Sequence, residues 1–150
     1  VQKKLEDINK INNVGFSVDF KKESKDKLLW ASYFARFNNS LLHAISPKYD
    51  DDFLRNKWND NIRFMDKMFG GLNIVSKKHT IAKQQSQFLD IDVLKYANEE
   101  NIGLLIATTT KDRDVIEYFI GVQEDRTIVN EFDIPILYLN PREDLYVLCD

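Results

Sequence analysis

Apolar residues along this chain switch repeatedly between a period of two and a period near 3.6, and that switching lays out the elements. Residues 13–20 (NVGFSVDF) alternate through Val14, Phe16 and Val18 and end beyond Asp19, which predicts a first strand. Ser24 offers an N-cap for a helix over 25–37, with Leu28, Ala31, Ser32 and Ala35 on one face and Trp30, Phe34 and Phe37 widening the stripe. Residues 40–46 (SLLHAIS) form a short buried strand stopped by Pro47. The clearest helix spans 51–69, where Leu54, Trp58, Ile62, Met65 and Phe69 recur at spacings of three or four, and Gly70-Gly71 is the expected terminator. A weaker third strand is predicted over 72–76, followed by a polar stretch to Gln87. A helix over 88–98 then presents Ile91, Leu94 and Ala97. The run 102–108 is apolar throughout, as expected of a strand covered on both sides. Helical segments over 112–120 and 122–132 flank Gly121, and 134–139 is the fifth strand.

Strands that alternate with helices along the whole chain predict an α/β domain with a mostly parallel sheet and helices on both faces. With 150 residues there is room for one such domain and no second, and no internal repeat is visible. Residues 1–12 read as a lead-in or linker with a weak helical period at Leu5, Ile8 and Ile11; residues 13–141 form the domain, and 142–150 a C-terminal tail. The start at Val1, with no signal-like segment, reads as a piece of a longer protein or a processed chain.

Composition narrows the function classes. The net charge is −3, and the basic residues are scattered among acids, so no phosphate-tracking stripe points to nucleic acid. No apolar run approaches the roughly 20 residues that span a bilayer, and the expected location is the cytoplasm. Cys149 is the single cysteine, so no internal disulfide forms. His43 and His79 lie far apart in sequence with no metal-ligand spacing around them; His43 is expected to be packed or at an edge, and His79 solvated in the basic loop SKKHTIAK. No catalytic triad, paired-carboxylate pattern or Walker sequence appears, so the chain is not expected to be an enzyme. Most of the aromatic residues, among them Phe16, Trp30, Trp58 and Phe64, fall on faces that can be core.

The ordered set of segments resembles the universal stress protein family. That family opens with a strand ending in Asp, a Ser-bearing loop and a helix of the form ALxxAxxxA, here VDFKKESKDKLLWASYFARF. It closes with a helix, a strand, a glycine-bearing phosphate loop, a helix and an IPVL strand, here KYANEENIGLLIAT, Gly121 and DIPILYLNP. The lead-in QKKLEDI and the tail NPRED resemble the second half of a tandem bacterial member. The resemblance implies an adenine nucleotide alpha hydrolase-like sheet of order 3-2-1-4-5. Its ligand crevice would open where the order reverses, beside Asp19 and Thr108.

Nucleotide-binding members carry G-x2-G-x9-G-[ST] after the fourth strand, because glycines let backbone N–H groups and a helix N-terminus approach phosphate. Anchored on Gly121, the pattern places Thr108 and Lys111 at the first two glycines and Val122 at the hydroxyl position, so one position of four matches. Asp19 matches the nucleoside-contacting aspartate; read from the residue alone it serves equally as a loop cap. Ala44 and Ile45 would line the adenine slot, with core packing the stronger reading. Lys111 and Arg113 are side-chain candidates for phosphate, and Glu124 adds repulsion. The resemblance thus implies a regulatory stress-response domain with a degenerate nucleotide loop and no cofactor. It would dimerise, or pair with a tandem domain, through Ile134, Ile136 and Tyr138 of strand five. The alternative is an ATP- or AMP-binding member that uses a modified phosphate loop, with at most slow hydrolysis.

Overall fold

The computed structural model describes residues 11–22, 24–82, 89–108 and 134–139. Their element order is β1 (Asn13–Ser17), α1 (Ser24–Asn38), β2 (Leu41–Pro47), α2 (Asp52–Gly71), β3 (Ser76–Ile81), α3 (Leu89–Glu99), β4 (Leu104–Thr108) and β5 (Ile136–Leu139). The strands form one sheet of order β3-β2-β1-β4-β5, and every pairing is parallel. This is the predicted architecture. The predicted helices over 112–120 and 122–132 lie outside the described residues.

Alternation along the inner strands divides the core in two. Val14 and Phe16 of β1, Leu42 and Ala44 of β2, and Leu104 and Ile106 of β4 face α1 and α2, where Leu28, Met65 and Phe69 close over them. Ile45 and Leu105 face the other way, against Val93, Leu94 and Ala97 of α3. Burial on both faces is why β2 and β4 show no polar alternation. Phe16 is fully buried and meets Phe69 edge-on, at 6.3 Å between ring centroids. Gly15 lies on the α3 face, where a Cβ would come within 3.1 Å of the Ile102 side chain. The missing side chain lets the end of the α3 layer pack directly on β1.

Strands four and five begin two residues later than expected, and three further boundaries differ in ways that bear on the site. The first strand ends at Ser17 rather than Phe20, so Asp19 and Phe20 belong to the loop that follows. Gly70 and Gly71 do not terminate α2 but remain in its last turn; the chain reverses at Asn73, with φ 55°, where Ile74 N–H bonds Phe69 C=O. Asn39 and Asn101 take the same left-handed conformation just past α1 and α3. Asparagine tolerates this conformation and here replaces the expected glycine. The third strand is therefore Ser76–Ile81, not 72–76. It is an edge strand, half solvated, with Lys77 and Lys78 exposed, and lysine is a common guard of open edges. Its polarity disguised it as a loop. Trp30 and Phe64 also depart from expectation: both are exposed on the outer surface of the α1–α2 layer rather than in the core.

Candidate functional site

The crevice expected from the strand order lies at the carboxyl ends of β1 and β4, on either side of the reversal. Its best-defined wall is the loop from β1 to α1, and that loop is held from three directions. The Asp19 carboxylate Oδ1 accepts from Lys21 N–H (2.9 Å) and from the Ser24 hydroxyl (2.6 Å), while Ser24 Oγ in turn accepts from Asp19 N–H. Asn61 of α2, buried, donates through Nδ2 to the carbonyls of Asp19 and Lys21 at 2.8 and 2.9 Å. The Tyr49 hydroxyl accepts from Phe20 N–H, and the two rings meet edge-on. Burial first, and the nearby Asp19 carboxylate second, push the Tyr49 phenol far up, so it stays neutral. Of the two roles read for Asp19, the described geometry is that of the loop cap. One carboxylate oxygen is engaged by the loop itself.

Beneath this loop sits a residue that the sequence did not single out. Lys27, in the first turn of α1, is only 3% exposed, and its ammonium donates to Ser17 Oγ at the end of β1 (2.5 Å). Among the described residues no carboxylate pairs with it. The first turn of α1 folds over the end of β1, which carries the side chain to the crevice floor. The result is a buried ammonium at the carboxyl end of β1, beside the switch in strand order.

The other expected residues are scattered in role. Ala44 is buried in the core on the α1–α2 side and offers no open surface, and Ile45 is buried against α3. Thr108 ends β4 and is half-buried. Lys111, Gly121 and Val122, with Arg113 and Glu124, lie outside the described residues. Ile134 is buried and Ile136 and Tyr138 are half-buried, the latter two on β5, which among the described strands pairs with β4 alone. No helix among the described residues is long and apolar enough to cross a membrane, and no cluster of metal-ligating side chains occurs among them.

A second polar cluster lies on the α3 face. His79 is not in a solvated loop; it lies on β3, where its ring stacks with that of His43. His43 Nδ1 and His79 Nε2 are 2.9 Å apart, His43 Nε2 is 2.9 Å from Asn13 Oδ1, and His79 Nδ1 is 2.8 Å from the Tyr96 hydroxyl. Burial, then Glu100 and Glu99, push the Tyr96 phenol up, so it donates. One tautomer set satisfies every atom: Tyr96 O–H donates to His79, His79 Nε2–H to His43, and His43 Nε2–H to Asn13. The chain ties the edge strand β3 and helix α3 to the sheet centre. The signal for it was register. Ile45 pairs His79 and His43 pairs Lys77, so the two histidines are diagonal neighbours on one face despite lying 36 positions apart in sequence.

No protein-family model and no curated protein matches the chain. Solved structures do. A protein of the universal stress protein family from Burkholderia pseudomallei is 12% identical, with a TM-score of 0.58 over 88% of this chain and 97% of that one. A universal stress protein from Archaeoglobus fulgidus DSM 4304 is 17% identical, with a TM-score of 0.61; the match covers 89% of this chain and 45% of that one. A universal stress protein solved in complex with cAMP is 12% identical, with a TM-score of 0.59 over 87% and 98% of the two chains. Identities this low speak to fold, and the fold is that of a universal stress protein-like domain.

Proposed function

We propose that the chain is a stress-response regulatory domain that acts by protein association and is not a catalyst. In this reading its nucleotide crevice no longer takes ATP as nucleotide-binding stress proteins do. The observation that carries this is the Asp19 carboxylate, held by Lys21 N–H and the Ser24 hydroxyl within its own loop. The eroded glycine pattern at Thr108, Lys111 and Val122 supports it. Its place at the end of the described strand order supports association through β5, because an edge strand is a template for pairing with another chain. A second reading is favoured by Lys27. A buried cation at the crevice floor suits an ATP or AMP phosphate, and one of the similar structures holds cAMP.

Sedimentation velocity across about 1–100 µM tests the association. A dimer is expected, converted to monomer by Ile136→Lys, because an edge lysine blocks strand pairing. A wild-type chain that stays monomeric at the top of that range contradicts the reading.

A further inference from the structure

The outer surface of the α1–α2 layer exposes more apolar area than the fold requires. On α1, Leu29, Trp30, Tyr33 and Phe37 are exposed, Phe37 by 71%. Their rings form a row, Trp30 to Tyr33 and Tyr33 to Phe37, each 5.9 Å apart between centroids. Between the two helices lies an open cavity of about 600 Å³. Leu29 and Tyr33 wall it from α1, Phe64 and Met68 from α2, and Leu72 from the C-cap of α2. Each wall is a stripe at spacing four, extending about 6 Å along α1 and about 12 Å along α2 and its cap. Apolar stripes of this spacing on both walls suit the apolar face of a third helix.

The rim has one sign of charge. Arg36 and Lys67 line the groove, and Lys25 Nζ stands 5.0 Å over the Phe64 ring; no acidic residue is among the lining. None of these three cations forms an ion pair among the described residues, whereas Arg55, Arg63 and Lys78 pair with Asp52, Asp60 and Asp66. A run of uncompensated cations beside an apolar groove, in a chain of net charge −3, calls for an occupant that carries carboxylates.

We propose that the α1–α2 groove docks an acidic amphipathic helix of a partner protein. Its large apolar residues at spacing four lie between Tyr33 and Met68, and its flanking carboxylates meet Arg36 and Lys67. This deepens the reading of the chain as a partner-binding domain by assigning it a second surface, separate from β5. A second copy of the chain seated face to face would set Arg36 and Lys67 against their own images, so charge disfavours it. An anionic bilayer would meet the exposed rings but leave a concave groove unfilled.

Gly71 supplies a clean block. It lines the groove within the last turn of α2, and a Cβ built there meets nothing within 4 Å. A tryptophan at this position occupies the groove without displacing the core. The experiment is a fluorescence-anisotropy titration of the full chain with a labelled synthetic helix of about 18 residues, with leucines at i, i+4, i+7 and i+11 and glutamates at the flanking positions. Binding is expected to weaken at least tenfold in Gly71→Trp and in the double variant Arg36→Glu/Lys67→Glu, with Gly71→Trp keeping the wild-type Tm. A lysine-flanked version of the peptide is expected not to bind. Equal binding of the two peptides overturns the proposal. So does affinity unchanged in both variants, no binding of the glutamate-flanked peptide, or binding to phosphatidylglycerol vesicles in preference to it. Sedimentation separates the failures: a dimer with a silent groove sinks this proposal alone, and a monomer that binds the peptide sinks the β5 association alone.

Discussion

Lys27→Met should make the protein more stable. The side chain is desolvated, its one described partner is a neutral hydroxyl, and no carboxylate pairs with it among the described residues. A buried ammonium with no counter-charge is costly, and replacing buried charged groups by hydrophobic side chains of similar volume is often neutral or stabilising, by up to about 1–4 kcal/mol for buried ion pairs. Loss of the hydrogen bond to Ser17 subtracts about 1 kcal/mol, and Ser17 keeps a further interaction. The net expectation is a gain of about 1–3 kcal/mol, at roughly 2–4 °C of Tm per kcal/mol for a chain of this size. Differential scanning calorimetry at neutral pH reads it directly. An unchanged or lower Tm means that the ammonium is compensated where it sits. A gain marks Lys27 as a residue kept at a cost to stability, the pattern expected of a group held for a ligand anion rather than for the fold.

Stability should fall between pH 7.5 and pH 5.5, and the His43 cluster should account for the fall. Burial, then the proximity of His79 and Lys77, hold His43 below the ordinary histidine value, with Glu100 opposing weakly. The groups around the pair are His79 and Lys77 from β3, Tyr96 from α3 and Glu100 just past its end. In the unfolded chain His43 titrates near about 6.5. The unfolded state therefore binds the proton first, and stability rises with pH through this interval. The contribution is complete above about 6.5 and is lost as pH falls from there through the lowered native value. Chemistry gives the same sign. Once His43 is protonated, its Nδ1–H faces the Nε2–H of His79, two donors with no acceptor between them. Leaving buried polar groups unmatched costs about 1–3 kcal/mol. Urea midpoints at the two pH values should differ in the wild type and converge in His43→Gln. A wild-type midpoint that does not move over this range would sink the assignment.

Much of the fold was legible because the central strands declare themselves. β4 reads as an unbroken apolar run because α1 and α2 lie against one face and α3 against the other. The helix spacing of Trp58, Ile62, Met65 and Phe69 located α2 to within two residues. β3 was expected too early in the sequence, over 72–76, because an edge strand guarded by Lys77 and Lys78 buries too little to show a period. The end of α2 was misread because glycine was expected to turn the chain, and Asn73 does so.

The site was less legible than the fold. For Asp19 the residue alone left cap and ligand contact equally open; the bonds to Lys21 and Ser24 describe the cap. Lys27 is one of 21 basic residues, and nothing local distinguishes it. Its burial arises only when α1 folds over the end of β1. The histidine cluster likewise exists only through the pairing of β2 with β3.

The central claim is that this crevice does not hold ATP in the manner of nucleotide-binding stress proteins. Isothermal titration of the ligand-free chain with ATP and Mg²⁺, and with AMP in parallel, tests it most directly. No binding heat is expected up to about millimolar nucleotide, an affinity weaker than about −4 kcal/mol. A single site of micromolar affinity, abolished by Lys27→Met, would contradict the claim and make Lys27 the phosphate contact of a working nucleotide site.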